Sequence, residues 1–369
     1  MTISVFFSLL NEHPWAYFPV IMTLAVVFVN GWTDGPNSIA TVVMTRSMKP
    51  RAAVAMSAVL NLVGVLSIGL IANYSTVFSN VVQTIASLVS FDISTAAALN
   101  DAMIAIGMGL VSVVLFSNLS TKLNMPSSES NELVGGLTGA ALALACLPSS
   151  TMFGNPDVSG SAWIRVIIGF FGSLFLGFFL GYGLTKLIEL ICRKMTRGKT
   201  TRFFTKAQIV SAGLMSYAHG LQDGSKFLGV IVMVVLMLGR FGGYSLAVTS
   251  LVAEWWVYVP VAVLMFAGSC MGGFNIIKTL GHDMASLQKY QAFATDIASF
   301  IGLLLVTIFG LPVSTGSVKT TAIMGGGASR SLKKVHWNVA GKMIALWVVV
   351  FPITALVGFL LTLIFAAIF

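Results

Sequence analysis

Four short stretches of this 369-residue chain place reactive side chains where the surrounding sequence is almost all hydrocarbon. "NGWTDGPNSIATVVMT" (30–45) and "AHGLQDGSKFLGV" (218–230) each hold an Asp-Gly pair, at Asp34 and Asp223. "PSSESN" (126–131) and "PVSTGS" (312–317) each hold a proline followed by hydroxyls. A charged side chain at the centre of a membrane helix costs about 2.5–3.5 kcal/mol on insertion scales, so the aspartates point to a substrate or ion pathway. The bland alternative is a hydrogen bond or salt bridge that holds a helix bundle together. Interrupted helices expose free N–H groups and the positive end of a dipole, which suits an anion. Ser127, Ser128, Ser130, Ser314 and Thr315 add hydroxyl donors, a set that fits a tetrahedral oxyanion; helix capping is the alternative use of the same hydroxyls. Carboxylates alone would repel such an anion. A cation between carboxylate and anion reverses the local sign, so H⁺ or Na⁺ would have to travel with it.

The elements that must position these groups are membrane helices. Hydrophobic residues make up 57% of the chain and charged residues 9%, against about 25% charged in a soluble protein. Apolar segments run over 16–45, 52–73, 98–119, 132–147, 162–192, 208–238, 256–281, 291–310, 318–328 and 339–369, with an amphipathic stretch at 76–90. They predict an all-α integral membrane protein of about ten to twelve membrane elements, counting broken and half-spanning helices. Backbone that is not helical is tolerated at membrane depth only where it is buried in protein or lines a wet cavity. The N-terminus has no basic residue before its apolar run, so it is read as mature sequence rather than a cleaved signal. A net charge of +9 would suggest nucleic acid in a soluble protein; here the basic residues fall in short loops and report topology, with no nucleic-acid partner expected. Cys146, Cys192 and Cys270 have neither CxxC spacing nor accompanying histidines and are read as small packing residues.

Pairing of the motifs indicates two repeats. Arg46, Lys49 and Arg51 follow the first Asp-Gly helix, whereas Arg193 to Lys206 precede the second. Lys122 precedes the first Pro-hydroxyl turn, whereas Arg330, Lys333 and Lys334 follow the second. If the basic clusters share one side, corresponding helices cross in opposite directions. The expected organisation is an N-terminal segment (1–15), a first inverted repeat (16–147), a connecting helix and basic loop (148–207), a second inverted repeat (208–328) and a basic loop with a final helix (329–369). Inverted repeats with broken helices at matching positions point to a secondary transporter with its site near the midplane.

With those four motifs in that order, the sequence resembles the inorganic phosphate transporter (PiT) family along nearly its whole length. The C-terminal half, from "GGFNIIKTLGHDMASLQKYQAFATDIAS" through "GLPVSTGSVKTTAIMGGGAS", is similar almost phrase by phrase. The resemblance implies a multi-pass protein of the inner or plasma membrane, not an enzyme, that imports inorganic phosphate in symport with a cation. It also implies a homodimer in the lipid bilayer, with no cofactor beyond the transported H⁺ or Na⁺. Phosphate would travel free or as a metal complex. Asp34 and Asp223 match the family's motif aspartates and Asn37 its second asparagine, while Thr33 and Gln222 stand where an asparagine normally precedes each Asp and keep an oxygen ligand. Ser127, Ser128, Ser130, Gln222, Thr33, Ser314 and Thr315 are the substrate candidates. Asp34, Asn37, Glu129, Asp223, Lys226 and Asp296 are the coupling-ion candidates, and Asp34, Asn37 and Asp223 would be the place for a Na⁺.

The departures from the pattern bear on coupling. Asn61 stands where many members have glutamate, with Asp296 read as its counterpart in the second half. Glu129 and Gly316 replace hydroxyls, and Asn131 and Ser317 replace motif histidines. Lys226, present in proton-type bacterial relatives, could stand in for a coupling cation beside Asp223 and favours H⁺ over Na⁺, with Glu129 a candidate proton carrier. Alternatively, Glu129 forms a structural pair with Lys226 or Lys319. Sulfate or another tetrahedral oxyanion is the competing substrate, and Na⁺-coupled phosphate symport the competing drive. Other classes fit less well. An anion channel would need a continuous polar path, and no nucleophile-base or metal-ligand cluster suggests an enzyme. His219 is read as a hydrogen-bonded packing residue; Trp255, Trp256 and Trp337 are read as interfacial anchors, and Gly135, Gly136, Gly139 and Gly325 to Gly327 as close-approach positions.

Overall fold

The computed structural model describes residues 1–123, 127–146, 154–273 and 287–368. Pro126 of the first Pro-hydroxyl turn therefore lies outside the described residues. The helices are α1 (Ile3–Glu12), α2 (Tyr17–Thr33), α3 (Ala40–Met44), α4 (Pro50–Ala72), α5 (Asn80–Ala86), α6 (Ala96–Lys122), α7 (Glu129–Ala145), α8 (Gly160–Ile191), α9 (Arg197–Phe241), α10 (Val248–Val252), α11 (Trp255–Cys270), α12 (Lys289–Ile308), α13 (Thr315–Ala328) and α14 (Trp337–Ile368). One short antiparallel pair, β1 (Val89–Asp92) with β2 (Gly154–Val158), lies between α5 and α8. Seven helical spans are long and apolar enough to cross a membrane. The shorter α7, α11 and α13 bring the described membrane elements to ten.

Packing follows a two-fold exchange of the halves. α2 packs on α6 and on α11, as α9 packs on α12 and on α4. The short α7 returns along α6 and lies against the last helix, α14; its counterpart α13 returns along α12 and lies against α8. α6 meets α14 as α12 meets α8, and α4 and α11 meet across the pseudo-axis. Equivalent helices run in opposite directions if the basic ends share a side. Thr45, the neighbour of Arg46, lines one cavity of about 330 Å³ together with Arg197 and Lys289.

The two Asp-Gly helices differ from each other. After Asp34, Gly35–Ser38 form a 3₁₀ turn before α3 begins. Pro36 lacks an N–H and crowds the preceding turn, which ends α2. The second motif was expected to be broken as well, and it is not. Ser225 takes the place of proline, and α9 runs unbroken for 45 residues. The stretch at 193–206 expected as a polar loop is also helical from Arg197 onward. At 1.5 Å per residue α9 is about 68 Å long, beyond the roughly 45 Å of a bilayer with its headgroups.

Small residues set the closest crossings. Gly31 and Gly220 each precede their aspartate by three positions. A Cβ on Gly31 would lie 2.8 Å from the Ser269 backbone nitrogen on α11, and one on Gly220 2.7 Å from the Asn61 Cα on α4. Outward-facing side chains include Trp255 and Trp337, as expected of interfacial anchors. Trp256 departs from that expectation: it is buried and stacks on Phe6 with ring centroids 4.8 Å apart. Cys146 and Cys270 are exposed on the outer surface rather than packed inside.

Candidate functional site

The tips of the two re-entrant helices meet the two aspartates in the protein interior. Ser128 caps α7 by accepting from the Asn131 amide at 3.4 Å, and Ser314 caps α13 by accepting from the Ser317 amide at 3.3 Å. Capping serines leave further first-turn N–H groups free, and the helix dipole adds positive potential at each tip. Asp34, at the end of α2, accepts from Asn37 Nδ2 at 2.7 Å through Oδ1. Asp34 Oδ2 and Asn37 Oδ1 are buried without a partner. Gly316 explains how this pair sits directly on the α13 tip: a Cβ there would lie 2.9 Å from Asn37 Nδ2 and 3.7 Å from Asp34 Oδ1. The missing hydroxyl at 316 is the space the Asp34–Asn37 pair occupies.

Asp223 occupies the equivalent place on α9 and is more heavily bound. Lys226 Nζ lies 2.5 Å from its Oδ1. Asn30 Nδ2 donates to Oδ2 at 3.0 Å, Thr315 Oγ1 donates to it at 3.5 Å, and His219 Nε2 lies 3.4 Å away. Asn37 and Lys226 hold the same place relative to their aspartates, three residues on, so an amide in one half faces an ammonium in the other. Lys226 also donates to Ser130 Oγ of α7 and, at 3.1 Å, to the Val313 carbonyl beside α13. It thereby holds both tips together.

Glu129, the first residue of α7, accepts from Thr33 Oγ1, and its Oε2 has no partner. Neither pair expected for it forms: Lys226 is taken by Asp223, and Lys319 by Asp296. Glu132, one turn further, accepts from Ser117 and is fully buried. Asp34 lies within electrostatic reach of Glu129, Asp223 and Lys226, and Glu129 within reach of Glu132. Carboxylates thus outnumber ammonium groups here, and a buried charge left unpaired is costly. An anion entering this space needs company from protons or cations.

Asp34, Asn37, Thr33, Glu129, Ser130, Asp223, Lys226 and Thr315 form one connected cluster, with the caps Ser128 and Ser314 at its edges. Three other candidates are employed elsewhere. Gln222 donates to the Leu311 carbonyl at 2.9 Å and accepts from Thr307 at 2.5 Å, so both ends of its amide brace the second tip. Ser127 turns toward α6 and bonds Ser120 at 2.8 Å. Asp296 lies on α12 in a separate buried pair with Lys319. It is not the counterpart of Asn61, which lies on α4; the residue facing Gly31 as Asn61 faces Gly220 is Met265 on α11.

Two buried residues, Asn30 and Glu132, were not among the sequence candidates, whereas His219 is buried and hydrogen-bonded as expected. Asn30 bonds Asp223 across the pseudo-axis. His219 Nδ1 lies 3.1 Å from Asn61 Oδ1, and Asn61 in turn donates to Ser269 at 2.9 Å. Glu132 adds the extra carboxylate. The repeated spacing Gly-x-x-Asp at 31–34 and 220–223 was a usable signal for the helix crossing, and Glu129 with Glu132 on one face of a half-helix was a usable signal for the charge excess.

Comparison with known proteins gives a consistent picture. The sequence profile of the Phosphate transporter family matches residues 30–199 and again 192–358. A probable low-affinity inorganic phosphate transporter of Bacillus subtilis is 31% identical over 350 residues, covering 94% of this chain and 97% of the relative. One of the same description from Mycobacterium bovis is 33% identical over 339 residues, covering 92% of this chain and 75% of the relative. A solved structure titled "The sodium-dependent phosphate transporter" superposes with a TM-score of 0.80 at 18% identity, covering 96% of this chain and all of that one. At that identity it speaks for the fold.

Proposed function

This chain belongs to the phosphate transporter family, a multi-pass membrane protein and a transporter rather than an enzyme, and from its site we propose that it imports inorganic phosphate in symport with H⁺. The observation that carries this reading is the asymmetry of the two aspartates. Lys226 already neutralises Asp223, so that half of the site has no room for a free coupling cation. The remaining carboxylates, Asp34 and Glu129, each keep an unpartnered buried oxygen. A proton on Glu129 or Asp34 would offset the charge of phosphate drawn to the α7 and α13 tips.

Those same oxygens support phosphate over sulfate. Phosphate at neutral pH still carries O–H donors and sulfate carries none, so free carboxylate acceptors reward phosphate. Substrate contacts would come from Ser128, Ser130, Ser314 and Thr315, with Lys226 as the fixed positive charge.

A Na⁺-driven alternative has one observation in its favour. Asp34 and Asn37, joined by a hydrogen bond, each keep one unpartnered buried oxygen, the kind of oxygen donor a hard cation selects. Purified protein in liposomes, driven in turn by an imposed pH gradient and an imposed Na⁺ gradient, separates the two. Uptake driven by ΔpH without Na⁺ is expected. Strict Na⁺ dependence with no response to ΔpH would overturn the proton reading.

A further inference from the structure

A second buried ion pair lies outside the site. Lys319 of α13 donates to Asp296 Oδ1 of α12 and, at 3.2 Å, to Thr41 Oγ1 of α3. Thr41 Oγ1 donates to the same Asp296 oxygen at 2.6 Å, and Ser211 of α9 donates to Asp296 Oδ2 at 3.2 Å. All four residues are fully buried. Lys319 is the charge that bears on Asp296 among the described residues. Just beyond, Thr45 and Ser47 both donate to Gln208, so the cluster sits beneath the basic face.

Packing alone does not require this pair. Counted from the caps Ser314 and Ser128, the equivalents of Lys319 and Asp296 in the first half are Leu133 and Leu110, both fully buried. The fold closes the same helix junction with hydrocarbon, and a buried ion pair is often no more stable than apolar residues of similar volume. What the second half adds is an ammonium held by carboxylate and hydroxyl oxygens. That donor set is the chemistry of a site for a hard monovalent cation. Lys226 on Asp223, with Ser130 and the Val313 carbonyl, repeats the arrangement inside the site.

We propose that Asp296, Thr41 and Ser211 form a monovalent-cation site in which the tethered ammonium of Lys319 takes the place of a free alkali ion. The chain thereby neutralises Asp296 without binding Na⁺ at that position. This deepens the proton-driven reading by accounting for a second cation that need not be supplied. Its test uses neither phosphate nor a gradient, so the two fail separately.

The full chain carrying Lys319→Met, purified in detergent, is unfolded thermally in NaCl and in choline chloride at matched ionic strength, and binding of radiolabelled Na⁺ is measured alongside. Removing the ammonium leaves a buried carboxylate that recruits the ion, so Na⁺ raises the unfolding midpoint by several degrees beyond any shift in the wild-type chain. The double variant Asp296→Asn/Lys319→Met, with no charge left to neutralise, lacks that added shift and the added Na⁺ binding. A Lys319→Met chain with no Na⁺-specific shift, or a double variant with the same shift, overturns the proposal. Should Lys319→Met fold only when Na⁺ is present, the proposal is supported; should it fold in neither salt while the double variant folds, it is overturned.

Discussion

At the scale of single residues, the site is defined by which oxygens are left over. Asn37 satisfies one oxygen of Asp34 and leaves the other free, whereas Lys226, His219, Asn30 and Thr315 crowd around Asp223. Both carboxylates are needed for a coupled site, so Asp34→Asn and Asp223→Asn are each expected to abolish coupled phosphate uptake in liposomes while the purified proteins keep their helical content by circular dichroism. Normal uptake by either variant would remove that residue from the site. Lys226→Asn recreates on α9 the amide that Asn37 supplies after Asp34. On the proton-driven reading it frees Asp223 to bind a cation, and uptake by this variant is expected to be stimulated by Na⁺ while wild-type uptake is expected to be indifferent to it. A variant indifferent to Na⁺ would show that Lys226 does not act as a substitute cation.

At the scale of elements, the half-helices and the glycines opposite them decide the geometry. α7 and α13 reach the interior because each is braced along a neighbour, α14 and α8 respectively, by close backbone approach. A Cβ on Gly135, for instance, would lie 2.6 Å from the Phe351 carbonyl oxygen of α14. Gly220→Val would push α9 off the Asn61 backbone of α4, and overpacking of this kind costs about 1–3 kcal/mol. Its expected signature is a lower unfolding midpoint together with lost uptake, because Asp223 lies one turn away. Gly316→Val has a different signature. It intrudes on Asn37 and Asp34 at the tip of α13, so the expected loss is in phosphate uptake, with a smaller change in midpoint. A wild-type uptake rate for Gly316→Val would show that the Asp34–Asn37 pair need not touch that tip.

At the scale of the whole molecule, the two halves share a packing scheme but not a charge pattern. Exchange of α2 with α9, α4 with α11, α6 with α12, α7 with α13 and α14 with α8 matches most of the major helix contacts, the packing of α5 on α9 being an exception among the described residues. The ammonium groups of Lys226 and Lys319 lie only in the second half, and the buried glutamates Glu129 and Glu132 only in the first. Unequal charge in matched frames would give an anion bound between the tips one side rich in acceptors and one with fixed positive charge. Selectivity follows from that arrangement: excess sulfate, which has no proton to donate, is expected to compete weakly with radiolabelled phosphate uptake. Equal competition by the two anions would mean that the carboxylate acceptors do not contact the cargo.

Composition, the length of the apolar runs and four motifs with inverted charge flanks were enough to determine a membrane transporter of two opposed halves. They also gave most of the cluster at its centre, because hydrophobic period, proline and basic loops act locally and are written in neighbouring residues. Which polar groups meet was decided by tertiary structure. The sequence alone could not show that Pro36 breaks one Asp-Gly helix while the other runs on through Asp223, since the local motifs look alike and the difference lies in one missing N–H and one ion pair. Nor could it show that Gln222 braces the second tip, that Ser127 bonds Ser120 of α6, that Asn30 crosses to Asp223, or that Asp296 pairs with Lys319 rather than matching Asn61. Those contacts join residues far apart in the chain, and a polar side chain buried from water takes whichever partner the packed helices bring within reach.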